Sequence, residues 1–308
     1  MRSRVNLPAL CVRALSEAMD TRTMTSMVRD IIPNYDIHDR TGFPPSIAIP
    51  SRDVARQIVN DVVKENRLLL LIGSLIDIHE LGLMGRRYPI PQIRTIVQEV
   101  VENGYLFDHE HRMFVENPQV RKTRNWGALI TGREYTFAFL RIDIVKNSQL
   151  VRNYAAATIQ QAYRGLRDIV VAAVERRNGR VWKWEGDGGL AAFFFADKHQ
   201  KATLAAMEIV HELFIFNKTA CPLSSPLAAR IAVHSGPVDY TDNDETLKQS
   251  PTLSQVVEIE AEHTRPQTVT ISSVVKVMLD AIVSNEFKPL SDDSQGMYFT
   301  YSLDWERA

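Results

Sequence analysis

Two carboxylates stand where an acid can act on a ligand. Asp143 ends the apolar run Phe139-Leu-Arg-Ile-Asp143, and Asp187 lies between glycines in Lys183-Trp-Glu-Gly186-Asp187-Gly188. An acid at the end of a strand is exposed at the edge of its sheet, and flanking glycines let backbone approach a ligand closely. Hard cations such as Mg²⁺ take oxygen ligands, commonly one or two carboxylates together with substrate phosphates. Two such ions can neutralise phosphate charge and activate an oxygen nucleophile. Taken singly, each acid has a plainer reading: a solvated strand end for Asp143, ordinary hairpin-turn chemistry for Asp187-Gly188. Lys183, four residues before Asp187, is either a donor to a ligand or an exposed strand lysine.

Other chemistry-bearing residues argue for less. His109 and His111 have no further ligand partners nearby and read as surface turn residues. His234 reads as a packed or hydrogen-bonded histidine at a strand end. Ile159-Gln-Gln-Ala-Tyr-Arg164-Gly165 resembles the start of a calmodulin-binding IQ motif, but the second basic position is missing and the match is read as chance. Cys11 and Cys221 are far apart and make neither a ligand cluster nor a disulfide framework, which fits a reducing cytoplasm. Net charge is −1, which gives no global argument for nucleic acid or an anionic membrane. The most apolar run, 68–76, is shorter than the roughly 20 residues a membrane-spanning helix needs. The N-terminus shows no secretion signal.

The elements that must position these residues fall into two domains, for which 308 residues suffice. Residues 1–116 read as a small, mainly helical domain. Helices are expected over 7–19, 25–32, 51–77 with Ser51 as cap, and 91–102 stopped by Asn103-Gly104. Tyr105 to Val115 reads as a short hairpin, a winged-helix-like tail. Residues 117–134 are polar, basic and irregular, as a linker is. From 135 the pattern changes to strand, one long helix over 150–177, a glycine-turned hairpin, a helix over 197–216, and a strand over 228–234 closed by Ser235-Gly236-Pro237. A helix over 252–263, a strand, a helix over 272–283 and two closing strands follow. The order β-α-β-β-α-β and onward describes an α+β domain with helices over a mainly antiparallel sheet, of the ferredoxin-like type.

Three segments in order resemble the class III adenylate/guanylate cyclases. They are Phe139-Leu-Arg-Ile-Asp143-Ile144-Val145-Lys-Asn-Ser148, Gly179-Arg-Val181-Trp-Lys183-Trp-Glu-Gly186-Asp187-Gly188-Gly-Leu190-Ala191-Ala-Phe193, and Arg230-Ile-Ala-Val-His234-Ser-Gly236-Pro237-Val238. The likeness spans the second half of the chain. It implies a metal-dependent nucleotidyl cyclase that turns a nucleoside triphosphate into a 3′,5′-cyclic nucleotide and pyrophosphate. It further implies two Mg²⁺ or Mn²⁺ ions held by Asp143 and Asp187 with the Ile144 carbonyl. The backbone of Val145, Lys146, Asn147 and Ser148 would receive phosphates, and Lys183 would read the base. The family's active site forms between two domains, so a homodimer, or a heterodimer with a second cyclase domain, is implied.

The resemblance has gaps. On the helix where the family carries Asn and Arg, Gln255 falls at the Asn position and is the candidate to orient the ribose. Ile259 falls at the Arg position and cannot stabilise a phosphate. Lys248 falls near the second base-reading position, usually Asp, and the late phosphate lysine has no counterpart in 289–297, with Lys288 the nearest. Losing a transition-state cation costs about a thousandfold in rate. A degenerate domain acting as a nucleotide-binding switch, or as half of a heterodimer, is therefore the alternative reading. The nucleotide stays open, since some bacterial cyclases of this fold, associated with antiphage defence, make cyclic pyrimidine nucleotides. The helical half loosely resembles effector-associated or death-like adaptor domains of bacterial conflict systems, which implies a protein partner.

Overall fold

The computed structural model describes residues 6–290 and 297–303. Its contacts divide into two units, one of residues 6–122 with 126–128, the other of 123–125 with 129–290 and 297–303.

The first unit is helical. It comprises α1 (Leu7–Ala18), α2 (Thr21–Ile31), α3 (Ile37–Thr41), α4 (Ser51–Lys64), α5 (Leu68–Leu81) and α6 (Ile93–Glu102), then the hairpin β1 (Tyr105–Asp108) and β2 (Met113–Glu116). Val54, Ile58 and Val62 recur along one face of α4 and are fully buried, as the spacing requires. The single helix expected over 51–77 is two helices. The chain turns at Asn66, whose φ is +56°, and the Arg67 amide returns to the Val62 carbonyl at 2.8 Å. This closes α4 with the 6→1 bond of a left-handed helix stop. Ser51 does not cap α4; it lies inside the first turn, and the Pro50 carbonyl accepts from Asp53 and Val54 instead.

The second unit is an α+β sandwich. Its elements are β3 (Glu134–Ile144), α7 (Asn147–Asn153), α8 (Ala156–Arg176), β4 (Arg180–Glu185), β5 (Gly188–Phe193), α9 (Lys198–Thr219), β6 (Ala229–Asp239), α10 (Asp244–Lys248), α11 (Pro251–His263), β7 (Thr268–Ser272), α12 (Ser273–Lys276), α13 (Ala281–Glu286), β8 (Lys288–Pro289) and β9 (Tyr298–Ser302). The strands form one sheet in the order β4-β5-β3-β6-β7-β9-β8, antiparallel except for the β6–β7 pair. Alternation sorts the side chains of the two central strands to opposite faces. Leu140, Ile142, Ile231 and Val233 turn toward the core shared with α8 and α9. Phe137, Phe139, Arg141 and Asp143 turn the other way, toward the side on which α11 packs, where Arg141 meets Glu260 of α11.

Three expected elements are divided or extended. The long helix over 150–177 is broken at Tyr154, which is extended (φ −127°, ψ 153°) and whose hydroxyl meets Ser224 Oγ at 2.8 Å. The helix over 272–283 is α12 and α13, separated where Asp280 caps α13 through the Val283 amide. Ser235-Gly236-Pro237 does not end its strand. β6 runs on to Asp239, and Gly236 is needed because a Cβ there would lie 2.6 Å from Thr252 Oγ1 of α11.

The segment leading into β3 is fastened to the sheet. The Thr123 carbonyl accepts from Arg180 Nε at 3.0 Å and the Arg124 carbonyl from Trp182 Nε1 at 3.1 Å. The Arg124 guanidinium lies over the Trp182 ring and pairs with Asp244 at 2.6 Å.

Candidate functional site

The three motif segments meet at one end of β3. Asp143 pairs across the ladder with Gly188 on one side and with Arg230 on the other. The hairpin β4–β5 turns on two residues, Gly186 and Asp187, with Gly186 at φ +51°. This is the left-handed conformation that glycine adopts without strain. The Ile144 amide donates to the Asp187 carbonyl at 3.1 Å, fixing the turn against the end of β3. Gly188 is required by proximity: a Cβ there would lie 2.6 Å from the Ile142 carbonyl and 3.1 Å from Asp143 Oδ1. The backbone thus brings the two acids side by side, and both carboxylates act on the same neighbours. The charges of Asp187 and Asp143 add to burial in pushing the Tyr163 hydroxyl above its usual pKa.

Each carboxylate is held by a partner. Asn147 donates its side-chain nitrogen to Asp187 Oδ2, and its own Oδ1 accepts from the Tyr163 hydroxyl. Arg230 donates from Nη2 to Asp143 Oδ2 at 2.9 Å. Behind Arg230 lies Glu260 of α11, 3% exposed, with Oε1 2.7 Å from Arg230 Nε and Oε2 3.9 Å from Arg141 Nε. The Glu260–Arg230 approach is close, yet neither Oε1 nor Nε makes an aligned hydrogen bond. Burial raises the Glu260 pKa, Arg230 opposes that rise, and the negative charge of Asp143 adds to it. Glu260 and Tyr163 were not foreseen. Neither stands in the three cyclase-like segments, Tyr163 falling instead in the IQ-like stretch read as chance, and the packing of α11 and α8 brings them in.

One amide of the expected phosphate cradle is already taken. The Val145 amide is bonded to the Ala228 carbonyl at 2.9 Å, so it has no proton left for a phosphate. Lys146 is left-handed (φ +59°) and exposed, and its carbonyl accepts from the Gln149 and Leu150 amides. Asn147 contributes its side chain to Asp187. Ser148 is exposed, its carbonyl accepting from Arg152 Nε at 3.0 Å.

Lys183 lies on β4 past a bulge that lets Trp182 sink into the aromatic cluster of Phe137 and Phe139. Its ammonium pairs with Glu185 at 2.5 Å. This contact comes first in depressing the Glu185 pKa, and the charges of Lys248 and Arg141 add to it. Lys248, on α10, pairs with Glu245 at 3.0 Å and also neighbours Lys183; the Glu245 contact leads in raising its pKa. The fold thus collects two ammonium groups, each with its own carboxylate.

On α11, Gln255 is half-buried and Ile259 is fully buried. The outward side of the helix carries Glu258 and Glu262, with His263 at its end, their donor atoms within 4.8 Å of one another. The position where the resemblance would have a cation, Ile259, faces inward. Lys288 is exposed on the short strand β8, and most of the 289–297 stretch, where the late lysine has no counterpart, lies outside the described residues.

The remaining candidates are structural. His234 is buried, its Nδ1 2.9 Å from Ser272 Oγ, and burial lowers its pKa to about 4. His111 Nδ1 is 2.8 Å from Asp108 Oδ2, and His109 packs edge-on against Phe107. Ile159 and Ala162 of the IQ-like segment are core residues, and Gly165 lies against Phe216. Cys11 is buried, its pKa pushed up to about 12, and both cysteines are free. Among the described residues no helix is long and apolar enough to cross a membrane.

No protein-family model matches the chain, and no curated protein matches it. Solved structures do resemble it. The guanylate cyclase domain of RhGC from Catenaria anguillulae, in complex with GTP, is 19% identical with a TM-score of 0.45, covering 55% of this chain and 96% of that one. The adenylate/guanylate cyclase/hydrolase from Silicibacter pomeroyi is 19% identical with a TM-score of 0.45, covering 56% and 99%. The adenylyl cyclase CyaB from P. aeruginosa is 14% identical with a TM-score of 0.45, covering 58% and 98%.

Proposed function

We propose that the second unit is a divalent-metal-dependent nucleotidyl cyclase. In the overall reaction the ribose 3′-hydroxyl gives up its proton to solvent as its oxygen bonds to the α-phosphorus of a nucleoside triphosphate, the bond from that phosphorus to the oxygen bridging to the β-phosphate breaks, and pyrophosphate leaves. The observation that carries this reading is the convergence of Asp143 and Asp187 from a strand end and a two-residue hairpin turn, each held by its own partner. The donor set fits Mg²⁺ or Mn²⁺, being two carboxylates with no thiol or imidazole among them. When bound, such ions neutralise triphosphate charge and activate the attacking hydroxyl.

The chain's own groups do the rest. Asn147 fixes the Asp187 carboxylate, and Tyr163 fixes Asn147. Such outer contacts hold ligands in orientation. Lys183 and Lys248 donate to acceptor atoms of the base, while Glu185 keeps Lys183 placed. Gln255 hydrogen-bonds the ribose. The site is completed across a pair of cyclase domains, in a homodimer or with a second chain, and residues 1–116 serve as a regulatory module that engages a protein partner.

A second reading has one observation of its own: Ile259 is fully buried where the resemblance has arginine, and the outward face of α11 bears Glu258 and Glu262. On this reading the domain binds metal-nucleotide and turns it over slowly, as a switch or as one half of a heterodimer. One experiment separates the two. The purified full chain is incubated with Mn²⁺ or Mg²⁺ and each of the four nucleoside triphosphates, products are read by mass spectrometry, and binding is read by calorimetry. Cyclic product that disappears in Asp187→Asn supports the cyclase. Metal-dependent binding without product supports the switch. Absence of both overturns the two together.

A further inference from the structure

Arg230 touches two acids at once. Nη2 donates to Asp143 Oδ2 at 2.9 Å, while Nε lies 2.7 Å from Glu260 Oε1. The two contacts are not equal. The one to Asp143 is an aligned hydrogen bond, whereas the one to Glu260 leaves both Nε and Oε1 buried without an aligned bond. Glu260 is 3% exposed. A buried carboxylate short of donors favours any move that brings a guanidinium onto it. Arg141 Nε, on β3, lies 3.9 Å from the other Glu260 oxygen, Oε2.

We propose that Glu260 and Arg230 form a counter-ion latch on Asp143: Arg230 neutralises Asp143 while no cation is present, and Glu260 receives Arg230 when a divalent cation takes the Asp143 oxygen. The proposal rests on the reading of Asp143 as a metal carboxylate. A cation approaching Asp143 competes with Arg230 for Oδ2. The cost of that displacement depends on where the guanidinium goes, because an arginine released from Asp143 loses its charge partner and keeps only the long Nη1 contact to the Ala261 carbonyl at 3.4 Å. Glu260 supplies a replacement partner, at a distance already within contact. Glu260 is thus a positioning residue acting through Arg230. It is the residue after Ile259, on the helix that lacks the resemblance's arginine. The site's nearest guanidinium comes from β6 instead.

The test is Mn²⁺ binding to the full chain, followed by the electron paramagnetic resonance signal of free Mn²⁺, with thermal midpoints recorded for every variant. Asp143→Asn reports on the underlying reading and should weaken binding at least tenfold. Glu260→Gln keeps size and polarity but removes the receiving charge, and should weaken Mn²⁺ binding by about tenfold, the scale of an outer-shell partner. Arg230→Gln should bind at least as tightly as the natural chain, because the competitor is gone. In the Arg230→Gln background the further change Glu260→Gln should have less than a twofold effect. That loss of coupling is the signature of the latch, since simple through-space charge would act equally in both backgrounds. Arg230→Lys serves as a second variant should Glu260→Gln fail to fold, because an ammonium keeps the charge but lacks the fork that bridges two acids. It should bind Mn²⁺ more tightly than the natural chain. An equal effect of Glu260→Gln with and without Arg230 overturns the latch. So does Arg230→Lys binding that matches the natural chain. Mn²⁺ binding that survives Asp143→Asn overturns the metal reading itself.

Discussion

Asn147 grips Asp187 across forty residues of sequence, its side-chain nitrogen on Asp187 Oδ2 and its oxygen under the Tyr163 hydroxyl. One side chain therefore decides which way the hairpin acid points. Asn147→Ala should weaken metal-dependent nucleotide binding by about 10–100-fold, the usual scale for an outer contact to a metal carboxylate. Tyr163→Phe removes only the support of that support and should weaken it less. Calorimetry with Mn²⁺ and nucleoside triphosphate reads both, and an unchanged affinity in Asn147→Ala would remove this residue from the site.

Ile259 poses a different question. Restoring the arginine found in the resembling family looks like a repair, but the position is fully buried. A guanidinium there would be desolvated, and a buried unpaired charge costs several kcal/mol in effective terms. Ile259→Arg should lower the thermal midpoint by at least 5 °C, following the roughly 2–4 °C per kcal/mol of a domain this size, and should not raise turnover. A gain in cyclic product with unchanged stability would show that the side chain reaches the ligand after all.

Lys183 and Lys248 bring two ammonium groups together from two elements, each paired with its own carboxylate. Lys183→Glu would set a new carboxylate beside Glu185 and reverse the charge offered to the base. Its effect should appear as a change in preference among the four nucleotides of about tenfold, the size of one lost base contact. Competition binding measures it, and an equal loss for all four would mark Lys183 as a general electrostatic contributor rather than a base reader.

His234 ties stability to acidity. Its folded pKa, about 4, lies below the ordinary 6.5 because burial disfavours the cation. Below pH 6.5 the unfolded chain gains a proton that the folded chain refuses until about pH 4. The stability contribution is therefore complete above pH 6.5 and falls progressively toward pH 4, by roughly 3 kcal/mol in total. Urea midpoints at pH 7.5 and pH 5 should differ in this sense, and His234→Gln should flatten the difference. Equal slopes in both proteins would assign the acid sensitivity elsewhere.

Much of this was legible in residue order. The alternation of Phe137 to Asp143, the glycines around Asp187 and the stop at Asn178-Gly179 report local geometry, and the sheet is built on them. What stayed hidden depended on distant neighbours. Nothing within the 150–177 stretch announces a break at Tyr154, which is tied to serines seventy residues on. Val145 looks like a free loop amide until Ala228 arrives beside it. Ser235-Gly236-Pro237 carries turn residues, yet the glycine serves to admit α11, so the strand continues. Glu260 reads as one more acid on an amphipathic helix until the arginines of β3 and β6 close around it.

The strap formed by Thr123 and Arg124 has a mechanical corollary. It is fastened to Arg180 and Trp182, and the strand they occupy runs directly on through Lys183 to the Asp187 bend. Tension arriving along the chain from upstream would therefore be delivered to the ribbon carrying the base-side lysine and one of the two acids, while β3, bonded into the middle of the sheet, stays put. On the proposed function, such a wiring would shift the Asp187 side of the site relative to Asp143.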